Sequence, residues 1–217
     1  ETVMYGDGWR RRHDTVKWLI SSWAARLGIS CVTEVYGLFA AYVAQRDRLE
    51  GEPMWKRQGM VPDFMLQFTA GLRMLAELKM YHQGVRFVNN ASISKRCSGV
   101  ASRAAKVGRE YKNKARKGDR DYNDFQGPGK GPMEARLEEF GPVLPLVFGP
   151  RGEGSKGVHF LIKNFAELGA ERSWRGMGAR SQIEGRACIT TSLRRSLGIA
   201  ASRSAARLKS DRLGIAL

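Results

Sequence analysis

The chain lacks paired cysteines. Cys31, Cys97 and Cys188 are widely separated, with no CxxC and no histidine at zinc-ligand spacing. That excludes a disulfide scaffold and a zinc ribbon, and it reads as free thiols in a reducing, intracellular compartment. Long apolar runs are also missing: no window reaches the roughly 18 residues of a membrane helix, and no signal-peptide pattern opens the chain, so no membrane partner is expected. No period of about 20 to 50 residues recurs, which excludes a solenoid. The shortage that matters most is of acids, 21 Asp and Glu against 37 Lys and Arg, a formal net charge of +16 with a pI near 10.3. Such an excess exceeds what solubility requires and selects a polyanionic partner, nucleic acid above all. The 217 residues, 42% hydrophobic, suffice for one core and a small appendage. Because the first residue is Glu1 rather than methionine, the chain reads as a segment of a longer polyprotein.

What is present falls into an ordered series of elements. From Trp9 to Leu27, Val16, Ile20, Trp23 and Leu27 recur at helical spacing ahead of Gly28, which predicts a first helix. Ser30 to Tyr36, rich in β-branched and aromatic residues, predicts a strand. Two further strands, Met60 to Phe68 and Met74 to Tyr81, are expected to form a hairpin through Thr69, Ala70 and Gly71. A basic helix is expected from Ser92 to Asn123, with Val100, Ala104, Val107, Tyr111 and Ala115 on its apolar face. After GPGKGP comes a short helix, Met133 to Phe140, then the strand Val143 to Phe148, whose Pro145 places it at a sheet edge. The rest, from about Lys156 to Arg212, reads as helix. The expected division is a core over residues 1–150 and a basic helical extension over residues 151–217.

Three charges stand out against this background. The second strand contains Pro62-Asp63, the third contains Glu77-Leu78-Lys79, and 13 residues separate the two acids. On paired strands that separation brings the carboxylates together, and Glu77 and Lys79 share a strand face. Two carboxylates with the Leu78 carbonyl suit a hard cation such as Mg²⁺ or Mn²⁺, while a nearby lysine can orient or deprotonate an attacking water. The competing reading is an ordinary hairpin with Glu77 and Lys79 as a solvated pair on its exposed face. Both acids, however, lie in apolar strands, where an unpartnered carboxylate is costly.

Pro62, Asp63, Glu77 and Lys79, within the element order of Trp9 to Phe148, resemble the motif and αβββαβ core of the PD-(D/E)XK, or restriction-endonuclease-like, nucleases. The resemblance implies an α/β fold with a mixed four-stranded sheet. It also implies a metal site of Asp63 and Glu77 completed by an acid from the first strand or helix, for which Glu34 is the candidate and Asp14 the runner-up. A narrower resemblance lies in RRRHDTVKWL, Arg10 to Leu19, which is similar to the start of the restriction-like endonuclease domain of site-specific retrotransposons. The zinc-knuckle cysteines usual upstream in those domains do not occur here.

The function expected is therefore metal-dependent hydrolysis of DNA phosphodiester bonds, from a mobile element, in the nucleus or on DNA in a eukaryote. The alternative is a non-catalytic basic DNA- or RNA-binding module with a nuclease-like fold; a ribonucleoprotein scaffold comes third. Cutting both strands would call for a homodimer, because one site cleaves one strand. Arg10, Arg11, Arg12, His13, Lys106, Arg109 and Lys112 are the expected nucleic-acid contacts, joined by tail arginines such as Arg194, Arg195 and Arg203. A charge run is ordinarily only a solvated face, but few acids compensate these. His82 reads as packed or exposed, His159 as a half-buried residue, and four of the five tryptophans as core, with Trp55 beside Lys56 and Arg57 the exception. The run Gly149 to Gly157 contains GxGxxG without the following strand of a dinucleotide fold, and its GSK is not the GK[ST] of a phosphate-binding loop. A flexible loop offering helix-start amides to a phosphate is the expectation there.

Overall fold

Apolar residues repeating every three or four positions fix the first element, helix α1 (Met4–Arg26), along which Val16, Ile20 and Ala24 are fully or almost fully buried. The structure, a computed structural model, describes residues 4–39, 41, 60–69, 72–81, 92–123 and 125–213. The helix stops at Gly28, whose φ of 65° is a left-handed conformation that glycine adopts without steric cost. The guanidinium of Arg172 donates to the carbonyls of Leu27 and Gly28, placing a cation where the helix leaves acceptors unsatisfied.

The strands β1 (Ser30–Thr33), β2 (Phe64–Thr69), β3 (Leu72–Met80) and β4 (Leu144–Phe148) form one mixed sheet in the order β1-β2-β3-β4. The expected hairpin is present: β2 and β3 pair antiparallel with Phe64 opposite Ala76 and Leu66 opposite Met74, and the register shifts between Gln67 and Thr69. Phe64, Leu66 and Phe68 alternate into the core. In β3 the four consecutive residues Leu75 to Leu78 are all buried, as an interior strand covered on both faces must be. Edge position lets β4 accommodate Pro145. The first strand is shorter than expected, because Glu34 takes a φ of 49° and turns the chain out of the extended conformation. The remaining elements are helices α2 (Ile93–Asn123), α3 (Pro132–Glu138), α4 (Lys156–Ser173) and α5 (Gln182–Leu213). The chain is an α/β protein that ends in helices.

Two compact units emerge. The first comprises Glu1–Cys31, Leu78–Ala104 and Pro145–Leu217. In it α5 packs against both α1 and α4, through Ile189, Leu193, Leu197 and Ala201 at four-residue intervals, and Trp23 Nε1 donates to Ser196 Oγ at 3.2 Å. Within this unit α5 covers the apolar stripe of α1. The second unit comprises Val32–Glu77 and Ala105–Leu144. There the buried Asp119 carboxylate accepts the Met133 and Glu134 amides at 2.8 and 3.0 Å, tying the start of α3 to α2. Arg116 Nε donates to both Glu134 oxygens at 3.1 and 3.0 Å, making a second tie. These ties hold in place the part of α2 that carries Tyr111.

Candidate carboxylate site

Asp63 is the residue before β2, and the β2–β3 register carried one position further sets it opposite Glu77. Its backbone is anchored to the turn after β1: the Glu34 amide donates to the Asp63 carbonyl at 2.9 Å and the Val35 amide to the Pro62 carbonyl at 3.0 Å. Glu77 is 5% exposed and Asp63 is half-buried. The solvated exposed pair is thus not what the hairpin carries; Glu77 is an acid in the interior. Leu78, fully buried, occupies the opposite strand face, and Lys79, half-buried, follows Glu77 on the same face of β3.

A buried carboxylate must find hydrogen-bond donors. Tyr111 of α2 supplies one, its hydroxyl donating to Glu77 Oε2 at 2.6 Å. Burial, the charge of Glu77, the hydrogen bond to it and the charge of Asp63 together hold the Tyr111 phenol well above the usual tyrosine range. The phenol is the donor in this bond, and both carboxylates act on it. The sequence presents Tyr111 only as one residue of an apolar stripe; a hydroxyl at a core position, in a chain with a buried acid elsewhere, is the signal that would have marked it.

Glu34 lies beside Asp63 through its backbone, but its carboxylate accepts the Tyr36 hydroxyl at 2.7 Å. Among the described residues no group of three or more His, Cys, Asp and Glu is arranged to hold a metal ion, so Glu34 is not gathered into a three-acid cluster. Asp14 is exposed on α1, bonded to Lys17 at 3.1 Å and to His13 at 3.4 Å. Burial pushes its carboxyl up, but the hydrogen bonds and electrostatic attraction of Lys17 and His13 outweigh it and hold the group below its ordinary value.

The expected nucleic-acid contacts divide. Arg11, Lys106, Arg109 and Lys112 are exposed and His13 is half-buried. Arg12 is 1% exposed, one turn ahead of Val16 on the stripe that faces the core, and burial lowers its pKa to about 10. It is a core residue, because helical spacing outranks the basic run in which it sits. The Arg10 side chain, His82 and Trp55 lie outside the described residues. His159 is exposed rather than half-buried, and Trp18, at 68% exposure, is not core. The loop from Gly149 to Gly154 is not a free strap: the Gly149 amide donates to the Glu153 carbonyl at 2.7 Å, and Ser155 caps α4 with its own side chain.

Two carboxylates that both act on the Tyr111 hydroxyl, one buried and one half-buried, are a donor set that fits Mg²⁺ or Mn²⁺, which retains waters and needs only one or two protein carboxylates when phosphate oxygens complete the shell. Compared with protein-family models, curated proteins and solved structures, the chain finds no match in any of the three.

Proposed function

We propose that the chain is a metal-dependent DNA endonuclease with a restriction-endonuclease-like core, which hydrolyses phosphodiester bonds at Asp63 and Glu77. The observation that carries the reading is a buried acid on an interior strand, bonded to a buried hydroxyl on which a second acid, Asp63, also acts. An apolar residue at Glu77 would cost the fold nothing in desolvation, whereas two neighbouring carboxylates repel unless a cation lies between them. The order helix, three strands, two helices, strand, with Pro62-Asp63 just before β2 and Glu77-Leu78-Lys79 on β3, supports the same core. The resemblance of Arg10 to Leu19 to retrotransposon endonucleases supports an origin in a mobile element.

In this reading Asp63 and Glu77 would hold the ion. Bound Mg²⁺ supplies positive charge to the phosphate and makes an adjacent water more acidic. Lys79 orients the attacking water and offsets charge developing on the phosphate. The water oxygen bonds to phosphorus and gives up a proton to solvent, the bond to the leaving sugar oxygen breaks, and that oxygen takes up a proton from solvent. Tyr111 is a positioning residue, acting only through Glu77.

Cleavage of supercoiled plasmid with Mg²⁺ or Mn²⁺, by the wild type and by Asp63→Ala and Lys79→Ala, tests the proposal. The wild type should nick or linearise the plasmid and both variants should not. If all three leave it intact while still retarding DNA in a gel, the non-catalytic binding module replaces the endonuclease.

A further inference from the structure

The first compact unit carries a basic groove that the carboxylate chemistry does not use. Arg151, from the β4–α4 loop, and Arg194, Arg195 and Arg203, from α5, line a cavity of about 490 Å³ together with Gly198 and Ser202. The groove is built, not incidental. Gly152 has a φ of 87°, and a Cβ there would stand 2.8 Å from the Gly198 carbonyl oxygen and 2.9 Å from its Cα. Gly152 thus lets the loop backbone rest directly on α5. Within the loop the Arg151 amide donates to Glu153 Oε2 at 3.0 Å, and Arg96 holds the same carboxylate, so the backbone that presents Arg151 is fixed.

The helix side of the groove is arranged for charge. From Gly185 to Ser210 the sequence has six basic residues and no acid. Among the described residues no acidic side chain pairs with Arg194, Arg195 or Arg203. The packing of α5 is done by its other face, through Ile189, Leu193, Leu197 and Ala201, so these arginines contribute nothing to the core, and clustered like charges weaken a fold. Arg195 and Arg203 are eight residues apart, about 12 Å along the helix axis. One strand of B-DNA carries a phosphate about every 3.4 Å along its axis, so that length faces about three of them. A single free phosphate would call for donors converging on one point.

We propose that this groove seats the phosphate backbone of a DNA strand and supplies sequence-independent affinity. The inference rests on the nucleic-acid part of the reading above and not on hydrolysis. The test is anisotropy of a short fluorescent duplex with the full chain, in EDTA so that metal-dependent cleavage does not enter, across a salt series. The triple variant Arg194→Gln, Arg195→Gln, Arg203→Gln should lower the slope of log affinity against log salt by about 2 to 3, at about 0.9 per phosphate contact. The corresponding triple lysine variant should keep most of the slope, and both should retain the wild-type circular dichroism. Inorganic phosphate should compete no better than chloride of equal ionic strength. A folded glutamine variant with the wild-type slope overturns the proposal, as does a wild type that does not bind the duplex, or selective displacement by inorganic phosphate. Tight, groove-dependent binding without plasmid cleavage overturns only the hydrolytic reading.

Discussion

Tyr111→Phe isolates what holds an acid inside this protein. The change removes one oxygen and leaves the ring in a core where Tyr111 is 3% exposed and Glu77 5% exposed. The lost bond, 2.6 Å from hydroxyl to Glu77 Oε2, is charge-assisted, and hydrogen bonds to charged groups contribute about 1.5–3 kcal/mol. With water largely excluded, solvent does not replace it. A destabilisation of about 2 kcal/mol corresponds, for a chain of this size, to a fall of about 4–8 °C in Tm. Urea unfolding of the wild type, Tyr111→Phe, Glu77→Gln and the double variant gives the coupling directly, provided the slopes with denaturant agree. The expected coupling is about 1.5 kcal/mol or more. A Tyr111→Phe cost below about 0.5 kcal/mol, unchanged in the Glu77→Gln background, would refute the claim that the phenol stabilises the carboxylate. The sign with pH is equally specific. Because folding raises the phenol's pKa, its contribution is complete below the ordinary tyrosine value of about 10 and is lost as pH rises above it. Stability should fall more steeply in alkali for the wild type than for Tyr111→Phe.

Other perturbations follow from the same physics. Arg96→Ala leaves Glu153, whose side chain is 9% exposed, without its cation, and should cost about 3 kcal/mol by denaturant unfolding. Burial pushes the Glu153 carboxyl up, but Arg96 and the Glu153 and Arg151 amides hold it below its ordinary value, so its contribution is present above about pH 4.3 and lost as pH falls. The gap between Arg96→Ala and wild type should therefore narrow in acid; a constant gap would mean the cost is packing. Gly152→Ala forces a side chain onto the Gly198 backbone at a positive φ and should cost about 1–3 kcal/mol, read by thermal unfolding. A neutral result would show that the loop does not rest on α5.

Much of this architecture is legible in the sequence because it is local. The stripe Val16, Ile20, Ala24 gives α1, and the alternation through Phe64, Leu66 and Phe68 gives β2 with its buried face. The pairing of β2 with β3 is legible because a short hairpin leaves little freedom of register. What could not be read depends on partners distant in sequence or on single backbone angles. Nothing between Gln182 and Leu213 says that its apolar face meets α1 rather than standing apart. The end of β1 is set by the left-handed Glu34, a residue that propensity would leave in the strand. Arg12 is misplaced by composition and correctly placed by period, since it precedes Val16 by four. Tyr111 satisfies the helical period whether or not its hydroxyl has a task, so only the fold reveals that it meets Glu77, 34 residues earlier.

The distribution of ion pairs explains which part of the +16 excess is available to a polyanion. Glu138 engages Lys130 at 2.6 Å and approaches Lys112 at 3.8 Å. Glu134 engages Arg116 at 2.9 Å, Glu139 engages Arg136, and Glu167 lies 3.6 Å from Arg186. Among the described residues, these ion pairs place acids beside bases of the α2–α3 region and the start of α5. Lys112, expected from the sequence as a phosphate contact, already has a carboxylate nearby, and Arg12 is inside. Lys106 and Arg109 remain exposed with no acidic partner among the described residues, as do Arg194, Arg195 and Arg203. Phosphate contact releases counterions only where the protein's cations are not already neutralised. Salt dependence should therefore respond to Lys106, Arg109 and the α5 arginines and hardly at all to Arg116 or Lys130, although all of them look alike in a count of basic residues.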